Sequence, residues 1–294
     1  MSGVALDSRG VRKTFDGDRV LEGTDLTVRE GELLVLMGPN GVGKTVLLSI
    51  LAGSERPSDG TVEAFGEPVD DGGRDSLGFM LQDSVAVETL TGRENVAFYG
   101  GLRPAFTDRW REYVDTLGIE DDLADLVEQY SEGMKRKLEF ALTMSEDVPL
   151  YLLDEPTAGV DLTNVQRFHD VVLERLEAGA TVLLSSHRPI DATVADRIAF
   201  MPDGRISAVG DPDALLADLP PVVRISGREA MVAAEDVVLE GALFSLGGEA
   251  RGFLPDDDAL EELRAAADGS SGTTVSTVEP NYTDLFNYHV HVRP

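Results

Sequence analysis

Two short stretches hold the residues best suited to chemistry. In "GPNGVGKT", Gly38, Gly43, Lys44 and Thr45 fall at the G-x-x-x-x-G-K-[ST] spacing of a phosphate-binding loop. Glycines there let successive backbone N–H groups wrap an anion, and the helix that follows adds its positive end. Lys44 reaches the outer phosphates, the Thr45 hydroxyl suits Mg²⁺, and Pro39, Asn40, Gly41 and Val42 complete the loop. The second stretch is "VPLYLLDEPTAGVD", where an apolar run from Val148 to Leu153 ends in Asp154 and Glu155. Carboxylates at the C-terminal end of a buried strand stand where ligands gather in open α/β sheets. Asp154 can fix Mg²⁺ through water, while Glu155 can orient and polarise the water that attacks a γ-phosphate.

A third stretch, "YSEGMKRKLEF", holds Lys135, Arg136 and Lys137 in a chain whose only other lysines are Lys13 and Lys44. Basic residues in the first turns of a helix oppose its dipole by a few tenths of a kcal/mol each. A charged ligand near "SEGM", which reads as an N-cap, would offset that.

Such groups need rigid elements behind them. "ELLVLMG", "PLYLLDE" and "TVLLSSH" are short apolar runs bounded by polar or turn residues, as buried parallel strands are. Leu33 to Met37 is the strand before the loop, and an amphipathic helix runs from about Lys44. "ALDSRGVRKTFDGDRVLEGTDLTVREGE" alternates apolar and polar residues around "DGD" and "REGE" turns and reads as antiparallel strands. Helical patterns follow Gln82, notably "TDRWREYVDTLGI" and "EDDLADLVEQY", with a cap expected at Thr91. Beyond "GDPDALLADLP" the composition changes, and "VVRISG", "GALFSLGG", "DDDALEELRAAAD" and a Gly/Ser/Thr run suggest a small α/β appendage. His289 and His291 alternate with valines; an ordinary surface role is favoured over metal binding.

With 294 residues, 42% of them hydrophobic, the chain can bury one large domain and an appendage. No apolar run approaches the roughly 20 residues needed to cross a bilayer. There are no cysteines and no basic-then-apolar leader pattern, so a cytoplasmic location is the expectation. The net charge of −29 repels nucleic acid and anionic lipid and is read as adaptation to a salty, halophilic cytoplasm.

Taken in order, these residues resemble the ATP-binding subunit of an ABC transporter, from roughly Val4 to Pro212. "GPNGVGKT" is similar to its phosphate loop, Gln82 in "GFMLQD" to its glutamine loop, and "YSEGM" to its signature. "YLLDEP" resembles the second nucleotide motif, Asp161 in "AGVD" the loop after it, and His187 in "LLSSHRP" the switch histidine. Phe15 matches the aromatic that stacks on adenine. The resemblance implies an α/β fold: a P-loop NTPase core with a mixed sheet, an antiparallel β-subdomain, a helical subdomain and the C-terminal appendage. The ATP-binding domain would span 1–218, with the helical subdomain at about 88–145, and the appendage 219–294.

The same resemblance implies an ATPase with ATP and Mg²⁺ as its cofactors. Glu155, His187 and Gln82 would be catalytic, and Thr45, Gln82 and Asp154 would hold the metal. Ser131 and Gly133 would close over ATP on a second copy of the chain, giving a homodimer with the basic residues beside the ligand. The family's Leu-Ser-Gly-Gly-Gln pattern keeps only these two residues here, since Tyr130, Glu132 and Met134 differ. The tyrosine start and methionine end resemble the exporter branch, whose partner is a separate multi-span permease at the cytoplasmic face of the membrane. The pattern is also similar to ATPases of copper-enzyme maturation exporters. Residues from Thr89 to Leu102 would line the permease contact. A soluble ATPase acting on nucleic acid or ribosomes is the competing class, disfavoured by the single cassette and acidic surface. A nucleotide-gated regulator is the third, disfavoured by Glu155 and His187.

Overall fold

The computed structural model describes residues 3–70, 73–82, 85–256, 258–267 and 273–293. Strands β1 (Val4–Phe15) and β2 (Asp18–Arg29) form an antiparallel hairpin. Its turn is Asp16–Gly17, both at positive φ (49° and 99°), the backbone that an Asp-Gly pair allows in a tight hairpin. Next come β3 (Leu33–Met37), α1 (Lys44–Leu51), β4 (Asp59–Ala64), the two-residue β5 (Glu67–Pro68) and β6 (Leu77–Met80). Strand β4 pairs with β1, so a four-stranded antiparallel sheet runs β2-β1-β4-β5.

A largely helical stretch follows: α2 (Gly92–Leu102), α3 (Trp110–Thr116) and α4 (Glu132–Met144). Thr91 caps α2 in a reciprocal box with Glu94, as the sequence predicts. Helix α3 stops at Gly118, whose φ of +67° leaves the helical region. "EDDLADLVEQY" departs from its helical pattern and forms two 3₁₀ turns, Asp121–Ala124 and Val127–Gln129. Between them the backbone is extended, because Gly92 N–H bonds Asp125 and Val127 N–H bonds Leu90. Tertiary hydrogen bonds to the start of α2 override the local periodicity.

Then come β7 (Leu150–Asp154), α5 (Leu162–Glu177), β8 (Thr181–Ser186), β9 (Arg197–Phe200), β10 (Ala208–Gly210) and α6 (Pro212–Ala217). The main sheet runs β10-β9-β3-β8-β7-β6, parallel except for β10. Alternation along β3 shows why its residues are all apolar. Leu33, Val35 and Met37 enter a core with Tyr113, Phe140 and Phe168, and Leu34 and Leu36 enter another with Leu21, Leu47 and Leu51. A strand covered on both faces has no solvent side to be polar.

The remaining elements are β11 (Val222–Ser226), α7 (Arg228–Glu235), β12 (Phe244–Leu246), β13 (Glu249–Phe253), α8 (Asp258–Ala267), β14 (Thr274–Val278) and α9 (Tyr282–Asn287). Their antiparallel sheet, β12-β13-β11-β14, has its own core of Val223, Ile225, Leu254 and Leu263. Most of the Gly/Ser/Thr run lies outside the described residues. Helix α9 returns to the main sheet, where Leu285 and, in a π turn over Tyr288–Val292, Val290 join the core of β3. His289 stacks on Phe200 with ring centroids 4.5 Å apart, and the described residues hold no cluster of three or more metal-ligating side chains.

Candidate active site

The phosphate loop joins β3 to α1, and its glycines answer two separate demands. A Cβ at Gly38 would lie 2.2 Å from the Met201 carbonyl oxygen, so nothing larger fits beside the end of β9. Gly43 precedes α1 at φ 101°, a left-handed conformation that releases the first N–H groups of the helix toward the loop. The cleft here, about 280 Å³, is lined by Asn40, Gly41, Gly43, Lys44, Thr45, Gln82 and Glu155 among others.

Lys44 is buried. Its Nζ donates to the Gly38 carbonyl at 2.8 Å and the Pro39 carbonyl at 2.9 Å, and lies 3.0 Å from Glu155 Oε1. Glu155 Oε2 meets His187 Nδ1 at 2.9 Å. One carboxylate therefore links the loop's cation to the imidazole at the end of β8. Glu155 has φ 47°, and its N–H donates to Ser185 Oγ at 3.0 Å. A non-glycine residue held in that region stores strain that the neighbouring strand must maintain.

Asp154, the last residue of β7, is fully buried. Oδ1 accepts from Ser185 Oγ at 2.5 Å, while buried Oδ2 has no hydrogen-bond partner among the described residues. Burial pushes its carboxyl above the usual range, against the lowering effect of the Ser185 hydrogen bond. Thr45 Oγ1 donates to Gln82 Oε1 at 2.9 Å. A hydroxyl, an amide oxygen and an orphaned carboxylate oxygen form an all-oxygen donor set suited to a hard divalent cation.

Ser131, Gly133 and Asp161 are not brought to this cleft. They line a second one, about 420 Å³, with Lys137 and Asn164. Ser131 caps α4 by accepting from Met134 N–H at 3.3 Å, and Asp161 caps α5 by accepting from Asn164 N–H at 3.1 Å. Tyr130, which stands where the family has leucine, is buried; its hydroxyl donates to the Asp122 carbonyl at 2.6 Å and is pushed up to about 12 by that burial. Phe15 is 43% exposed and lines neither cleft, with Lys13 Nζ over its ring at 4.7 Å from the centroid. A larger cleft of about 570 Å³, between α1 and β4, holds none of these residues.

The expectation that all three basic residues of α4 face the ligand needs correction. Lys135 pairs with Glu88 at 2.7 Å and Glu132 at 3.3 Å, and Arg136 turns inward to backbone carbonyls. Only Lys137 lines the cleft, its ammonium held below the usual value by burial and by Arg167. Three basic letters in a row are compatible with three directions, because successive helical residues point about 100° apart.

Sequence reasoning also missed a buried network behind the site. Asp191, fully buried, accepts from Thr157 at 2.8 Å and Ser186 at 2.5 Å and bonds His169 Nε2 at 2.8 Å. It ties the residues just after Glu155 to the residue just before His187. The only local signal was the polar pair Ser185-Ser186 ending an apolar strand.

The family model described as "ABC transporter" matches residues 21–158. The chain is 34% identical over 240 residues to the daunorubicin/doxorubicin resistance ATP-binding protein of Streptomyces peucetius, covering 79% of this chain and 73% of that one. It is 33% identical over 248 residues to a fluoroquinolones export ATP-binding protein of Mycobacterium tuberculosis, covering 83% and 79%. Among solved structures, the ATP-binding subunit of an ABC transporter superposes with a TM-score of 0.66 at 24% identity, covering 72% of this chain and 92% of that one. A subunit from a cbiONQ complex of Clostridium perfringens gives 0.62 at 25%, covering 74% and 92%.

Proposed function

Because the chain belongs to the family of ABC transporter ATP-binding subunits, we propose that it hydrolyses ATP to drive a separate, multi-span membrane permease in export. The observation that carries the catalytic part is Glu155, bonded through one oxygen to Lys44 and through the other to His187. Backbone N–H groups of the loop bind the phosphates, and Lys44 exchanges its Glu155 and carbonyl partners for their oxygens. Glu155, released from Lys44, accepts the proton of the attacking water, and His187 holds that carboxylate in place. Thr45, Gln82 and Asp154 would hold Mg²⁺, which when bound neutralises phosphate charge; the orphaned Asp154 Oδ2 fits that role.

The separation of the Ser131/Gly133 cleft from the phosphate loop supports a homodimer in which each copy completes the other's site, with Asp161 beside it. Phe15, exposed at the rim, would stack on adenine. Among the described residues no helix is long and apolar enough to cross a membrane. Exposed Phe98 and Leu102 on α2, with Val85 nearby, offer the apolar surface for the permease. That contact would hold the subunit at the cytoplasmic face. The export direction follows the fluoroquinolones relative, which is named as an export ATP-binding protein.

The test is steady-state ATP hydrolysis by the purified chain and by Glu155→Gln. The parent is expected to turn over and the variant to lose about 100-fold or more. Equal rates would remove Glu155 from the mechanism, and no turnover by the parent, alone or with its permease, would refute the ATPase reading.

A further inference from the structure

Arg136 sits in the second turn of α4, buried, with its guanidinium on main-chain carbonyls of two other elements. Nη1 donates to Leu81 at 2.6 Å and to Gln82 at 2.9 Å, and Nη2 donates to Asp154. Gln82 Oε1 accepts from the Thr45 hydroxyl, and Asp154 ends β7 with its buried Oδ2 left without a hydrogen-bond partner among the described residues. One guanidinium thus grips the backbones of both metal-facing residues from behind. It does so from the helix that Ser131 caps and that holds Gly133 in its first turn.

The next turn of the same helix extends the grip. Glu139 Oε1 accepts from Val85 N–H at 3.4 Å, and its Oε2 lies 3.7 Å from Arg136 Nη1. Helix α4 therefore holds the start of the connection between β6 and α2 at two places, Leu81–Gln82 and Val85. A planar, permanently charged fork is the side chain able to bond carbonyls on two segments at once; a lysine ammonium is a point charge and cannot span them.

Resting on the ATPase reading above, we propose that Arg136 is a positioning residue that couples the nucleotide-facing pair Gln82 and Asp154 to the signature end of α4 in the same subunit. Nucleotide drawn into one subunit's loop shifts Gln82 and Asp154, and the shared guanidinium carries that shift to Ser131 and Gly133. Each copy then offers its partner a signature segment set by its own nucleotide.

The experiment is hydrogen exchange with and without ATP·Mg²⁺ on the full chain carrying Glu155→Gln, at a concentration where light scattering shows a monomer. There the signature cannot be protected by a partner. Amides at 38–45 are expected to be protected by nucleotide in this protein and after adding Arg136→Lys or Arg136→Gln. Amides at 130–135 are expected to slow about threefold or more only while Arg136 is present, and to change less than about 1.5-fold in either substitution. Glu139→Gln, which leaves the fork intact, is expected to keep the response. Two substitutions at Arg136 guard against one failing to fold, which a thermal transition would reveal. A signature response that survives both substitutions, or one missing from the starting protein while 38–45 is protected, overturns the coupling. Loss of protection at 38–45 in the starting protein would instead refute nucleotide binding, and the coupling with it.

Discussion

Glu155 and Lys44 hold each other in a buried ion pair, so changing either has two consequences: a lost chemical role and an exposed imbalance in the partner. Glu155→Gln keeps the size and one hydrogen-bond acceptor, which is why turnover is expected to fall while ATP affinity stays within about threefold. Lys44→Ala is expected to weaken ATP binding by about 100-fold or more in a nucleotide titration, a loss of roughly 3 kcal/mol. Unchanged affinity would remove Lys44 from the phosphate site. At this scale the sequence was informative about which residues come together wherever a local motif holds them. Gly38, Lys44, Thr45, Gln82, Glu155 and His187 meet around or beside one cleft. Arg136, Asp191 and His169 were not legible, because the contacts that fix them at the site, Arg136 to Leu81 and Asp154 and His169 to Asp191, span 18 to 55 positions along the chain and only the fold selects them.

Elements set the directions of those side chains, and their ends can be tested singly. Thr91→Ala removes the side-chain half of the cap on α2, leaving the backbone N–H of residue 91 to Glu94, and is expected to destabilise the chain by about 1 kcal/mol, read as a lower denaturant midpoint. No change would mean the cap is replaced by water. The π turn after α9 offers a pH test. His289 is pushed down to about 4 by burial and by the nearby Arg293 charge, so the folded state keeps it neutral. The unfolded chain takes up its proton near the ordinary histidine value of about 6.5. The stability is therefore fully present above that value and is lost as pH falls from 6.5 toward 4. Solvent screening limits the loss to about 1–2 kcal/mol. His289→Phe should flatten that slope in melts across this range; an unchanged slope would place the effect elsewhere. Strands and capped helices were readable from periodicity. The 121–129 stretch was not, since its hydrogen bonds go to Leu90 and Gly92 rather than along itself.

At the scale of the molecule, a net charge of −29 makes self-repulsion a general destabilising force that salt relieves. Thermal stability is expected to rise as salt increases from about 0.1 M toward molar concentrations, and a flat response would argue against adaptation to salt. The composite site is the largest claim at this scale, since the phosphate loop and Ser131/Gly133 line different clefts of one chain. It is tested most directly by the solution mass of Glu155→Gln in molar salt, with and without ATP·Mg²⁺. The account predicts a doubling of mass that needs nucleotide and disappears with Lys44→Ala. A protein that binds ATP and stays a monomer at every concentration, alone or with its permease, would contradict it.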